Sequence, residues 1–376
     1  MVYRLSLLLL YVCIIVSCAN NSRTNNATTD KGLKYSELLS VNCNDSFTVV
    51  NIRNPWDTTK LLHRYILVPA DRSLPNSLPK GDIVRTPLRN IAVFSSVHCG
   101  VMDELGAFNH IHGVCDREYI YIQKVQQALA DGSITDFGNS MTPNTERIIE
   151  QHPDAILLSP YENSGSYGKL GKLGITLIEC ADYMESSPLG RAEWIKFYGL
   201  LMGRENTADS IFHAVEKQYN DIKRHVANSK TCPTVVTEMK SGSTWYIAGN
   251  KSTVGQLIND AGGRYIFDDL NISGAQPFSP EKAFIRAQKA DYWLIKYNYA
   301  KDMTLRDLAK EWPSNAYMKA YKDGNVYGCN LHYSRIFEET PFHPELLLKE
   351  IANILHPENA SIKNGGQGVY YKKLER

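Results

Sequence analysis

The chain of 376 residues is 43% hydrophobic and 22% charged, a globular composition that excludes a disordered, collagenous or coiled-coil protein. Forty-one Lys and Arg against forty Asp and Glu leave a formal charge of +1, so there is no basic excess for a phosphate backbone to exploit and nucleic acid is not an expected partner. A single core stops growing at roughly 250–300 residues, so the length predicts more than one domain.

Leu7 to Val16 is an almost unbroken apolar run, preceded by Arg4 and ended by Ser17. It is too short to cross a bilayer, which takes about 20 apolar residues, and its order of basic, apolar and small residues predicts a secretory signal over 1–17. Ile15-Val16-Ser17-Cys18 resembles the bacterial lipobox. That resemblance implies that Cys18 is lipid-modified and begins the mature chain, anchored to a bacterial membrane on the periplasmic or cell-surface side. Residues 18–42 read as a polar tether. Beyond Cys18 the cysteines have no zinc-ribbon spacing. An oxidising compartment permits disulfides, whose pairing the spacing does not reveal, while Cys115 and Cys180, each closing an apolar run, read as buried thiols.

From Phe47 to Pro69 two β-rich runs flank a Pro-Trp-Asp turn, a hairpin pattern. From Asn90 short apolar runs at 91–96, 110–115, 155–160 and 175–180 alternate with amphipathic segments at 98–107, 121–131 and 144–151. Strands alternating with helices predict a parallel sheet covered on both faces, so 43–187 is taken as a first α/β lobe. Residues 188–229 carry no strand pattern. Trp194, Phe197, Tyr198 and Leu201 recur at helical spacing, Gly203 interrupts, and Ile211, Phe212, Val215, Tyr219 and Ile222 resume it in a helix that Asn206 or Thr207 would cap. Alternation returns over 230–357, with strands at 234–239, 245–249, 292–298 and 326–330 and helices at 253–261, 280–289, 303–311 and 344–355. Residues 358–376 are left as a tail. The lobes share a faint repeat: Asn144-Thr145-Glu146 and Ser279-Pro280-Glu281 each open a helix leading to an Asp and an apolar strand, and capping plus the helix dipole suit an early carboxylate.

This order of parts resembles the iron-complex and cobalamin class of substrate-binding proteins of ABC importers over about residues 85–355. The motifs that carry the resemblance are Thr86-Pro87-Leu88-Arg89-Asn90-Ile91-Ala92-Val93, Asp103-Glu104-Leu105-Gly106, Glu146-Arg147-Ile148-Ile149 with Pro153-Asp154-Ala155-Ile156-Leu157, and Leu170 with Gly174-Ile175. Leu200-Leu201-Met202-Gly203-Arg204-Glu205 with Ala208, and Gly255 to Gly263, complete the set. The resemblance implies an α/β fold of two doubly wound lobes joined by a helical backbone, the chelatase-like, helical-backbone metal-receptor fold. It also implies that Glu146 and Glu281, one per lobe, dock on an ABC permease dimer served by its ATPase. A monomer is expected, with no catalysis, no resident cofactor and no metal held by side chains alone.

In doubly wound sheets the ligand crevice lies outside the carboxyl ends of the strands. The loops there offer Ser95, Ser96 and His98, then Asp116, Arg117 and Tyr119, then Tyr161, Glu162 and Asn163, then Asp182 and Tyr183. The second lobe offers Thr244, Trp245 and Tyr246, then Tyr297, Asn298 and Tyr299, then His332, Tyr333 and Arg335. Aromatics dominate, and the 22 Tyr of the chain suit a large ligand with a greasy body and a polar edge. The ligand-binding set chosen from these is His98, Arg117, Tyr161, Glu162, Trp245, Tyr246, Tyr297 and Tyr333. His98 stands where an axial ligand to a bound metal would stand, or is a helix-start histidine bonded to backbone. His110 and His112 have no third ligand near them in sequence. Arg117, with Lys240 and Arg335, suits an anionic group such as a siderophore carboxylate or haem propionate. The expected cargo is a metal chelate: ferric siderophore first, cobalamin second, haem third. An exported chelatase with His98 and Glu162 in the cleft is the enzymatic alternative, and the chain lacks GxSxG, HExxH and GxxxxGK[ST].

Overall fold

The computed structural model describes residues 29–30, 32–162, 164, 167–358 and 368–376. The signal sequence, Cys18 and Asn163 lie outside the described residues.

The first described strands are β1 (Thr29–Asp30), β2 (Leu39–Cys43), β3 (Thr48–Arg53), β4 (Leu61–Pro69) and β5 (Asp82–Thr86), which form a sheet in chain order. The expected hairpin is β3 and β4, antiparallel with a register shift at Ile52/Arg53, and β5 joins β4 in parallel. This sheet is separate from the first lobe, whose boundary was expected at residue 43. The expected tether also ends earlier than residue 42. Leu38, Leu39 and Val41 are buried, and two carboxylates draw the segment down. Glu193 accepts from the amides of Lys34, Tyr35 and Ser36 at 2.9, 2.8 and 3.0 Å, and Glu185 from those of Glu37 and Leu38 at 3.0 and 3.1 Å. Charge-assisted bonds of this kind are the strong ones, and they hold a polar stretch that has little apolar surface of its own.

Lobe 1 alternates β6 (Ile91–Val93), α1 (Ser96–Glu104), β7 (Ile111–Val114), α2 (Gln123–Asp131), β8 (Thr135–Asp136), α3 (Thr145–Gln151), β9 (Ala155–Leu158) and β10 (Thr176–Glu179). Its sheet order is β10-β9-β6-β7-β8, parallel throughout, and every residue of β6 and β9 is buried, as both-face coverage requires. The connection is α4 (Pro188–Glu193), α5 (Ile195–Met202) and α6 (Glu205–Val226). Gly203 ends α5 at φ 62°, a left-handed conformation that glycine adopts without strain. With 22 residues α6 spans about 33 Å. It starts at Glu205 with Arg204 as its uncapped N-cap, so neither Asn206 nor Thr207 caps it.

Lobe 2 contains β11 (Thr234–Thr237), β12 (Trp245–Ala248), α7 (Thr253–Asp260), β13 (Arg264–Tyr265), β14 (Ala275–Phe278), α8 (Pro280–Ala287), β15 (Tyr292–Tyr297), α9 (Leu305–Glu311), α10 (Lys319–Asp323), β16 (Val326–Asn330), α11 (Ile336–Glu339), α12 (Pro344–Leu355) and β17 (Lys372–Lys373). The main sheet runs β13-β11-β15-β16-β17, parallel except for β17. The run at 245–249 is not one of its strands: β12 pairs antiparallel with β14 as a separate two-stranded sheet. Nor is 358–376 wholly a tail. Tyr370, Tyr371 and Leu374 are buried, and Glu350 accepts the Tyr370 amide at 3.1 Å.

Candidate functional site

The carboxyl ends of the two sheets face each other. The amide of Tyr121, in the loop after β7, donates to Glu338 Oε1 on α11, which follows β16, at 2.6 Å. Glu338 is buried, and burial raises its carboxyl pKa against the opposing pull of that amide and of Arg335. The approach needs Gly100 on α1, because an added Cβ there would stand 2.5 Å from the Glu338 carbonyl oxygen. Farther along the seam, His343 Nε2 meets Glu104 of lobe 1 at 2.7 Å and its Nδ1 meets Glu345 at 2.9 Å. The lobes are therefore joined by packing, by hydrogen bonds and by α4 to α6.

Around this seam lie most of the exposed aromatic rings. Among the described residues eight aromatic side chains are exposed, and all but Tyr317 belong to segments that follow a strand's carboxyl end: Tyr119, Tyr161, Tyr183, Tyr246, Tyr299, Tyr333 and Phe337. Rings left in water at one end of two sheets are the unusual observation, since isolated apolar exposure is common but concentration is not.

The predicted residues divide accordingly. Tyr161, Tyr246 and Tyr333 are exposed at the carboxyl ends, as is Glu162, with the Tyr333 hydroxyl on Asp302. Arg117 is exposed in the loop after β7, 3.5 Å from Asp136. Lys240 donates to the Gly242 carbonyl of its own loop at 3.1 Å, and Arg335 pairs with Glu338 and Glu339. The remaining three are buried. Trp245 is fully buried, stacked on Trp293 with ring centroids 5.9 Å apart, and its indole donates to the Thr237 carbonyl at 3.2 Å. The strand that carries it turns Trp245 inward and Tyr246 outward, the period-2 alternation of a half-buried strand.

His98 is 1% exposed. Its Nε2 lies 3.5 Å from Asp182 Oδ1, which also accepts from Tyr198 at 3.0 Å, while Asp182 Oδ2 accepts from Arg191 at 3.1 Å. Burial opposes a charge on His98, yet Cys180 and Asp182 hold its pKa above the usual histidine value, and burial likewise opposes the Asp182 carboxylate that His98 and Arg191 favour. The ring is thus sealed beneath Tyr198 and gives neither an axial ligand nor a chelatase histidine in the cleft. Tyr297 is 7% exposed and accepts the Met303 amide at 2.9 Å, so it braces its own loop. Asp182 is buried too. Among the described residues there is no cluster of three or more His, Cys, Asp or Glu arranged to hold a metal ion.

Glu146 and Glu281 stand exposed in the first turns of α3 and α8. Asn144 and Ser279 cap these helices, accepting from the amides of Arg147 and Lys282, so capping does not consume either glutamate.

The sequence gives little hint of a recess of about 110 Å³ between α4 and lobe 2, lined by Arg191, Thr237, Thr253, Lys296, Phe337 and Tyr371 among others. Its walls come from segments far apart in sequence. A larger groove, lined by Glu104, Tyr297, His343, Glu350 and the segment 368–375 among others, runs beside α12.

Two uncharacterized lipoproteins of Methanocaldococcus jannaschii are 28% identical to this chain; one aligns with 92% of it and 87% of its own length, the other with 95% of both. Among solved structures, a possible iron-binding (periplasmic solute-binding) protein from Staphylococcus epidermidis has a TM-score of 0.57 at 19% identity, covering 72% of this chain and 100% of its own. A periplasmic heme binding protein from Pseudomonas aeruginosa reaches 0.59 at 15% identity, covering 77% and 99%. A periplasmic vitamin B12 binding protein of Vibrio cholerae reaches 0.54 at 15% identity, covering 73% and 99%. With two α/β lobes meeting at their strand ends and the family's sequence profile matching residues 91–331, the chain belongs to the periplasmic binding protein family.

Proposed function

We propose that this chain is a capture protein that holds a metal chelate between its lobes outside the cytoplasmic membrane and hands it, chemically unaltered, to an ABC permease. The observation that carries the reading is the concentration of exposed aromatic rings at the carboxyl ends of both sheets. Such rings give a large apolar contact area with hydrogen-bonding tips at low entropic cost. A ferric siderophore is the first candidate, with cobalamin or haem the alternatives. Glu146 and Glu281 supply the permease register, since exposed carboxylates on one rigid body confer orientation and steering more than affinity. Cys18 supplies the membrane anchor, and the protein acts as a monomer.

Titration with a ferric hydroxamate, cyanocobalamin and haemin, read by visible spectrum and melting temperature, tests the cargo. One of them is expected to bind, and a triple Tyr161→Ala, Tyr246→Ala, Tyr333→Ala variant to bind it at least about tenfold more weakly with its fold intact. Silence from all three chelates refutes the reading. Glu146→Ala with Glu281→Ala is expected to reduce uptake at unchanged affinity, and normal uptake removes their docking role. Cys18→Ser is expected to release the protein from membranes.

A further inference from the structure

The recess between α4 and lobe 2 has a one-sided chemistry. Of its lining residues only Arg191 and Lys296 are charged, and both are cations. Their carboxylate partners, Asp182 and Glu238, are not part of the lining. Arg191 uses its Nε on Asp182, which leaves the two terminal nitrogens of the guanidinium fork for another partner. Tyr371 is 6% exposed; its amide donates to Glu350, while its hydroxyl has no hydrogen-bond partner among the described residues. Tyr371 lines the recess, and an unpaired phenolic hydroxyl there can donate to a bound acceptor. Thr253, in the first turn of α7, also lines the recess. The other walls are mostly apolar, including Leu257, Ile258 and Leu347.

We infer that this recess is a subsite for a short aliphatic carboxylate, the anionic end of a larger captured molecule: the carboxylate lies among Arg191, Lys296 and Tyr371, and its stem lies on the apolar walls. The volume of about 110 Å³ holds about four water-sized groups, which suits a carboxylate with two or three carbons. It excludes a macrocycle, which stays outside among the exposed rings. The inference deepens the capture reading and rests on it, and it moves the anionic contact from Arg117 to a place where both cations are shielded from bulk solvent and so act more strongly.

The test uses the intact protein and ¹³C-propionate, followed by NMR line broadening and melting temperature at fixed ionic strength, with n-propanol, n-propylamine and inorganic phosphate as parallel probes. Propionate is expected to bind saturably and raise the melting temperature, while propanol and propylamine do neither. The isosteric Tyr371→Phe is expected to weaken propionate by about threefold or more, and Arg191→Gln by more. If Arg191→Gln fails to fold, Tyr371→Phe decides. Absence of saturable propionate binding, propanol binding as tightly as propionate, phosphate binding more tightly than propionate, or a Tyr371→Phe variant that binds like the wild type would each overturn the subsite. The chelate titrations fail or succeed separately. Propionate binding without chelate binding keeps the recess and discards the chelate, and the reverse discards only the recess.

Discussion

The two lobes close their exposed sheet edges by different means, and both closures come from chain outside the 91–331 family match. In lobe 1 the outer strand β10 is met by side chains of the N-terminal sheet. A single hydroxyl, that of Tyr65, donates to the Leu177 carbonyl at 2.8 Å and accepts the Glu179 amide at 2.9 Å. Next to it His63 bridges Glu179 and Asp82 at 2.7 and 2.8 Å. In lobe 2 the last parallel strand, β16, is met by backbone, as β17 pairs with it through Tyr327–Lys373 and Gly328–Lys372. An open strand edge invites pairing with another chain, so both solutions answer one hazard. A side-chain closure hangs on one hydroxyl, whereas a backbone closure survives any single side-chain change and fails only when the segment is lost.

The largest expected effect comes from breaking the second closure. Removing residues 368–376 exposes β16, uncovers the Glu350 carboxylate and deletes the buried Tyr370, Tyr371 and Leu374. A loss of about 5 kcal/mol in urea unfolding is expected, with more concentration-dependent association than the intact chain shows. Gly100→Ala sharpens the comparison at the seam between the lobes. Its Cβ meets the Glu338 carbonyl oxygen at 2.5 Å, and a cost of about 3 kcal/mol is expected, because two backbones must move apart.

Tyr65→Phe breaks the first closure while keeping its ring. It is expected to cost about 2 kcal/mol by orphaning a strand carbonyl and amide, with hydrogen exchange accelerated at Glu179 before the rest of the sheet. A stability equal to wild type would show that water replaces the hydroxyl at no cost.

The smallest effect is in pH dependence. Burial opposes charge on His343, but Glu104 and Glu345 push its pKa up to about 10; His63 is raised in the same way by Glu179 and Asp82. A folded-state pKa above the unfolded value of about 6.5 means that the stabilisation is fully present below pH 6.5 and is lost as pH rises through the folded value. His343→Gln is therefore expected to lose about 1 kcal/mol at pH 6, discounted for partial solvent access. The gap to wild type narrows as pH approaches 10. A constant gap across that range would remove the histidine's charge from the account.

Much of the fold was legible from local pattern. The βα alternation of lobe 1, the hairpin of β3 and β4, the break at Gly203, and the caps Asn144 and Ser279 all depend on residues within a few positions of one another. Leu39-Ser40-Val41 carries a buried-exposed-buried alternation that is visible in the sequence but too short to stand out from a polar stretch. The cleft loops were also legible, since parallel topology sends every such loop to the same end.

Which loop residue faces that cleft was not legible. His98 and Trp245 follow strands as Tyr161 and Tyr246 do, yet Tyr198 and Asp182 enclose the first and Trp293 covers the second. The recess, too, takes its cations from α4 and β15, more than a hundred residues apart. Periodicity and capping are properties of neighbouring residues, so the chain alone determined its helices, strands and their common carboxyl edge. Burial is decided by which distant element arrives to cover a side chain, and only the assembled lobes determined that.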